Sequence, residues 1–462
     1  MVIHGNERSL MSYLFNDKKF FSVMFRLASP IVLQQLIISS LGLVDVMMIG
    51  QLGETAVAAV GIANQIFFLV TLLFFGITSG TAIFTAQYWG SKDIDRIQNV
   101  LGLCLLMSLS GAFIFSIVGL LVPDRVIGIY TTDTEVIKLG SHYLQIVAIS
   151  YAATAITNSF SVVLRSTEVV KLPTLVSVLA LSLNTLLNFG LIFGNFGFPE
   201  MGVVGAAIGT VSARLFETIL LLVIIYSKKL PVAASLKNLI NFRPLPLKKF
   251  FNTTIPVVFT EIAWSLGITT YNLVFARIGT ESIAAFNIAN TIGSLMAVIF
   301  IGLGNACAIM IGNRIGAGEQ GLAIEYGKKY LLLTLIGSSI FGVLLLLITN
   351  PILMLYKVST ATIVFAKNIL IFMAFSLPVR SLNFVLLIGI LRSGGDTRTA
   401  LLIDAGVIWS VGVPLALLGA FVLKLPVHWV YLMVLTDEVV KLFLGLKRFF
   451  SQRWIHSLAA PV

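Results

Sequence analysis

Charge is what this sequence has least of. Only 11% of its 462 residues are Asp, Glu, Lys or Arg, against roughly a quarter in an ordinary soluble domain. With 58% of the chain hydrophobic, that shortfall excludes a water-soluble globule and leaves lipid as the main solvent. Cysteine is nearly absent. Cys104 and Cys307 both lie in apolar segments, where they act as small hydrophobes rather than as a disulfide framework. The four histidines, His4, His142, His428 and His456, stand at termini or segment ends without ligand spacing, so no catalytic metal centre is expected. No GxxxxGK motif followed by Ser or Thr occurs, and glycines such as Gly76 and Gly80 read as close helix packing rather than a nucleotide loop. An enzyme has no constellation to rest on here, and no cofactor is implied. The net charge of +11 comes without a long basic tract interleaved with aromatics, which removes nucleic acid as a partner.

Long apolar runs are what the chain has instead. A helix needs about 20 apolar residues to cross roughly 30 Å of hydrocarbon. Twelve runs qualify: 28–50, 57–81, 100–122, 139–163, 172–194, 202–226, 253–276, 283–311, 329–349, 367–391, 399–421 and 427–446. They predict an all-α polytopic membrane protein. Residues 1–27 carry Glu7, Arg8, Asp17, Lys18 and Lys19 ahead of any long apolar run, unlike a cleaved signal peptide, and Leu10–Phe25 is expected to form an interfacial helix. Residues 227–252, with Pro231, Pro244 and Pro246 among basic residues, read as a linker between a lobe at 28–226 and another at 253–446. The tail is 447–462. Placing the amino terminus inside puts most of the 31 Lys and Arg residues in cytoplasmic loops, which predicts cytoplasmic termini and a plasma-membrane location. Anionic lipid headgroups then account for the basic excess.

The two lobes repeat each other at a fixed offset of 226 residues. Pro30 meets Pro256, Gly53 meets Gly279, the GIAN ending at Asn64 meets the NIAN ending at Asn290, Gly76 meets Gly302, and Gly90 meets Gly316. At offset 227 the VLRS ending at Ser166 meets the ILRS ending at Ser393. Six spans is an even number, so both lobes enter the membrane alike and should be related by an axis along the membrane normal. The cleft between them is the natural substrate path, opened alternately on either side by rocking.

Three stretches carry a resemblance to a known family. They are PIVLQQLIISSLGLVDVMMIGQLGETAVAAVGIANQ with Asp45, its counterpart IPVVFTEIAWSLGITTYNLVFARIGTESIAAFNIANT with Glu261, and the pair LRST from Leu164 and LRSGGDT from Leu391. Together they resemble the multidrug and toxic compound extrusion (MATE) transporters over most of the chain. The resemblance implies a V-shaped pair of lobes and a secondary antiporter that expels organic, often cationic amphiphilic compounds in exchange for Na+ or H+. It also implies a cation site of the first lobe at Asp45, completed by Asn184, Asn188 and Thr210, with Glu261 matching an acid of the second lobe. Some members have an aspartate where this chain has Asn188. Arg380 is the charge inside the tenth span, which Lys367 opens, and Asp404 is the nearest carboxylate.

Physical chemistry selects overlapping residues. A carboxylate near mid-membrane costs roughly 3 kcal/mol, which something must offset. Asp45 shares a helical face with Gln34, Ile38 and Leu41, Glu261 with Ser265, Ile268 and Asn272, and Asn184 and Asn188 with Ser177. Hard cations take such oxygen ligands. The bland alternatives stand beside these. Arg380 and Asp404 are as readily a structural pair, with Gln34 a further substrate or coupling candidate. Glu217, three residues after Arg214, reads as that arginine's neutraliser. Asp437, Glu438 and Lys441 read as an internally paired cluster near water or headgroups, and Asn64 and Asn290 as interhelical glue. Tyr151, Trp264 and Phe286 are candidates for an aromatic cavity wall. The main competing function is a flippase for lipid-linked sugars, which needs a large cationic cavity that the few embedded Arg and Lys do not supply. No obligate protein partner is implied.

Overall fold

The computed structural model describes residues 17–243, 245–356 and 358–458. All twelve apolar runs are helical. In chain order they are α1 (Lys18–Gly50), α2 (Glu54–Gly90), α3 (Ile94–Leu121), α4 (Thr134–Ala148 and Tyr151–Ser166), α5 (Lys171–Phe193) and α6 (Gly202–Ser227). After the linker come α7 (Leu247–Ile278), α8 (Thr280–Gly316), α9 (Gln320–Leu353), α10 (Thr360–Arg392), α11 (Thr397–Val422) and α12 (Val427–Val434 and Thr436–Phe450). Among the described residues nine helices are long and apolar enough to cross a membrane, and α4, bent by 48°, makes a tenth. The remaining two are the polar ones. Helix α7 carries Glu261 among several Thr residues, and α12 carries Asp437, Glu438 and Lys441, so neither can be lipid-facing all round.

Internal symmetry is visible in the contacts between lobes. A side chain added at Gly76 of α2 would meet Val258 of α7. Its repeat mate Gly302 of α8 packs likewise against Val32 of α1, and Val32 is itself the mate of Val258. A contact and its image both being present is the signature of a two-fold relation between the lobes. Small residues at these crossings let backbones approach where lipid offers no hydrophobic driving force between helices.

Among the described residues the buried core clusters join the lobes at one end. One core cluster runs from Phe20, Leu27 and Val170 to Met310, Ile390 and Trp454, and another from Ile83, Phe84 and Phe160 to Phe250, Val257 and Leu458, so each mixes the two lobes. These lie toward the face that carries the linker. At the opposite face the clusters are lobe-pure, one confined to residues between Ile49 and Ala207 and the other between Tyr271 and Leu435. The molecule is therefore a V whose lobes meet at the linker face and diverge away from it.

The amino-terminal stretch differs from expectation. Leu10–Asn16 lies outside the described residues, but 18–25 is the start of α1, not a separate interfacial helix. Asp17 caps it, accepting the Phe20 N–H at 2.9 Å. Phe20, Met24 and Leu27 recur at helical spacing and are buried, with the Phe20 ring 5.0 Å from that of Tyr326 in α9. A tertiary partner turned an amphipathic stretch inward. The linker packs on α3, where Gln98 donates to the Pro231 carbonyl at 2.9 Å and Asn99 to that of Asn238 at 2.9 Å.

Candidate functional site

Three helices of the first lobe converge on Asp45. Asn184 and Asn188 are one turn apart on α5, so both amides face α1. Asn188 donates to Asp45 Oδ1 at 3.1 Å. With its amide oriented to satisfy both neighbours, Asn184 donates to Asp45 Oδ2 at 3.0 Å and accepts the backbone N–H of Thr210, on α6, at 3.2 Å. The four residues thus form one hydrogen-bonded cluster. Gly209 makes room for it, because a side chain there would overlap Asn188 Oδ1. That oxygen is fully buried and has no hydrogen-bond partner. A buried acceptor without a donor, next to a carboxylate, is an arrangement that a cation or a protonated group completes.

The cluster opens into a cavity of about 380 Å³, whose walls include Asp45, Asn64, Phe67, Tyr143, Arg214 and Glu217. Arg214 and Glu217 form the expected ion pair at 3.1 Å, and Ser177 donates to Glu217 Oε1 at 2.6 Å. Asn64 is exposed on this wall, and Asn290 is exposed too, so neither is the buried interhelical glue expected from the repeat. Asn64 faces the cavity instead. Of the three aromatics proposed for a cavity wall, Tyr151 and Phe286 are buried in lobe cores and Trp264 is exposed, whereas Phe67 and Tyr143 line the cavity. Gln34 lies nearer the linker face, bound by Arg165 at 2.8 Å and Thr174 at 3.3 Å.

The second lobe is built differently. Glu261 is buried and accepts a hydrogen bond from Arg392 at 2.6 Å. The same guanidinium lies 3.8 Å from Asp404, which lies 3.2 Å from Lys441, which in turn lies 3.7 Å from Asp437. Tyr271 donates to Asp437 at 3.2 Å. Glu438 accepts from Asn383 at 2.7 Å and lies 4.0 Å from Arg380. The structure therefore does not pair Arg380 with Asp404, and it buries Asp437 and Lys441 rather than leaving them near water. The reason is register. Helix α10 ends in a π-type segment, Val385–Arg392, and the wider turn brings Arg392, not Arg380, between α7 and α11.

Sequence reasoning passed over Arg392 and Arg165 as binding partners, and it paired Lys441 within its own helix but not with Asp404. A signal was present: Arg165 and Arg392 are repeat mates in the LRS motifs, and each reaches the first helix of its own lobe, at Gln34 and Glu261. Among the described residues no group of three or more His, Cys, Asp or Glu side chains is placed to hold a metal ion.

The MatE family model matches residues 30–189 and 256–418, one stretch in each lobe. The chain is 28% identical over 445 residues to an uncharacterized transporter, YisQ, of Bacillus subtilis, covering 95% of this chain and 96% of that one. It is 27% identical over 398 residues to the probable multidrug resistance protein NorM of Bacillus anthracis, covering 84% and 85% of the two. Among solved structures it superposes on the bent form of the Vibrio cholerae MATE transporter VcmN with a TM-score of 0.84 at 18% identity, covering 95% and 99%. A transporter of the MOP superfamily from Pyrococcus furiosus superposes with a TM-score of 0.83 at 19% identity, covering 94% and 97%. With both halves of its repeat matched, the chain belongs to the multidrug and toxic compound extrusion family of membrane transporters.

Proposed function

We propose that the protein is a secondary antiporter that exports organic, cationic amphiphilic compounds in exchange for Na+ or H+, with Asp45 as the group over which the ions compete. One observation carries this reading. Asp45 is held by the neutral amides of Asn184 and Asn188 at the mouth of a cavity, beside the unpartnered oxygen of Asn188. Such a carboxylate takes one positive guest at a time. A proton, a sodium ion bound by carboxylate and amide oxygens, or the cationic end of a substrate each offsets the same buried charge. Mutual exclusion at one site, combined with lobes that part alternately, yields exchange rather than leak. Phe67 and Tyr143 supply aromatic faces for an amphiphile's apolar body or its cation. Glu261 enters the proposal as a second exchange site, which operates only when Arg392 swings away. The basic loops support a plasma-membrane location with both termini on the cytoplasmic side.

The test is dye efflux from proteoliposomes with sodium and pH gradients imposed separately. Uphill movement of an organic cation that requires one of those gradients is the expected result. Movement indifferent to both defeats antiport. Gradient-independent scrambling of a lipid-linked sugar supports the flippase instead.

A further inference from the structure

Beyond α12 the chain turns back across the linker face and touches both lobes. Trp454 is fully buried, stacked 5.8 Å from Phe449, and donates to the Phe449 carbonyl at 3.1 Å. Arg448 donates to Asp396 at 2.6 Å, and the His456 N–H to the Gly394 carbonyl at 2.7 Å, so this stretch is seated on the second lobe. Four residues after Trp454, Leu458 is buried in a cluster with Ile83, Phe84, Tyr88 and Phe160 of the first lobe.

Gln87, near the end of α2, grips the crossing. It is fully buried. Its Nε2 donates to the carbonyls of Ser393 at 3.2 Å and His456 at 3.3 Å, while its Oε1 accepts the Leu458 N–H at 2.6 Å. Lys249, at the start of α7, donates to the Ser457 carbonyl at 2.8 Å. The repeat supplies a control. The mate of Gln87 is Asn313, which donates to Glu168 of the opposite lobe at 2.9 Å and leaves its own Oδ1 buried without a partner. Both mates therefore cross the lobe boundary, but only Gln87 is saturated, and the tail saturates it. A cavity of about 660 Å³ lies alongside, bordered by Lys249, Asp396, Arg398, His456 and Leu458. The tail thus adds a buried side chain to each interlobe cluster, Trp454 to one and Leu458 to the other, with open space on one side.

We propose that Ser451–Leu458 is an interlobe clasp that holds the linker face shut and must let go of Gln87 and the Leu458 pocket before the lobes part there. The proposal rests on the alternating-access reading above, but its test needs no transport. Full-length protein with Cys104→Ala and Cys307→Ala carries spin labels at Asp95→Cys and Gln320→Cys, exposed positions on the linker side of the two lobes. Electron–electron distances are then measured in nanodiscs without substrate. Leu458→Ala raises the long-distance population roughly tenfold, from the loss of a buried apolar side chain. Gln87→Ala raises it about three- to tenfold, from the loss of net hydrogen bonding. Leu458→Asp exceeds both; should it fail to fold, the two alanine variants still decide. Unchanged distances in Leu458→Ala and Gln87→Ala overturn the clasp. So does a shift confined to Gln87→Ala, which assigns closure to the Ser393 contact alone. Failed efflux with these distance shifts intact counts against the antiport reading and leaves the clasp standing.

Discussion

The two lobes share a repeat and a backbone but divide their charges in opposite ways. In the first lobe Asp45 has only neutral side chains as hydrogen-bond donors. At the equivalent place in the second lobe the chain has Tyr271, and that lobe's acids are tied into a chain running Glu261, Arg392, Asp404, Lys441 and Asp437. A carboxylate held by amides can trade cations, whereas one held by a guanidinium already has its cation. The comparison teaches that duplication preserved the scaffold while the electrostatics of each half went its own way. On the proposed reading the first half is open to exchange as it stands, and the second holds helices together for as long as Arg392 occupies Glu261.

Breaking the second lobe's chain has the largest expected effect. Arg392→Met leaves buried Glu261 without its cation and Asp404 with Lys441 alone, and the loss is about 3–5 kcal/mol of stability, read as a lowered melting temperature in detergent. A variant that melts like the parent shows that the network is not structural. Asp45→Asn comes next. Coupled efflux falls roughly 100-fold, about 2.7 kcal/mol, with melting unchanged, since an amide keeps the shape and loses the charge. Normal efflux removes the first lobe from the mechanism.

Glu261→Gln sharpens the contrast at a smaller scale. It weakens a charge-assisted hydrogen bond by about 1–3 kcal/mol in melting experiments while gradient-driven efflux stays within about tenfold of the parent. Complete loss of coupling moves the exchange site to the second lobe and reverses the comparison. The smallest expected change is Asn188→Ala. It removes one donor to Asp45 and one acceptor for the guest, and shifts the ion concentration for half-maximal efflux by about three- to tenfold.

Much of this was legible beforehand, for reasons particular residues show. The family resemblance implied that Asp45, Asn184 and Asn188 belong together, and they also stood out because acids and amides in apolar runs are conspicuous and spacing within a helix says which share a face. The second lobe was less legible. Glu261 was visible as an acid, but its partner lies 131 residues away, at the end of a π-type segment that helical spacing does not anticipate. The tail was read only as a tail, because nothing in residues 451–458 announces that Leu458 is bound for the opposite lobe.

Hydropathy and the 226-residue repeat by themselves determined an all-helical membrane protein in two like halves, because the length and polarity of a span are local properties of the chain. Which charges meet, which carboxylate has only neutral hydrogen-bond donors and where the lobes touch were decided by the tertiary structure alone. Those outcomes depend on how whole helices rotate and cross, and contacts over more than a hundred residues obey packing rather than spacing.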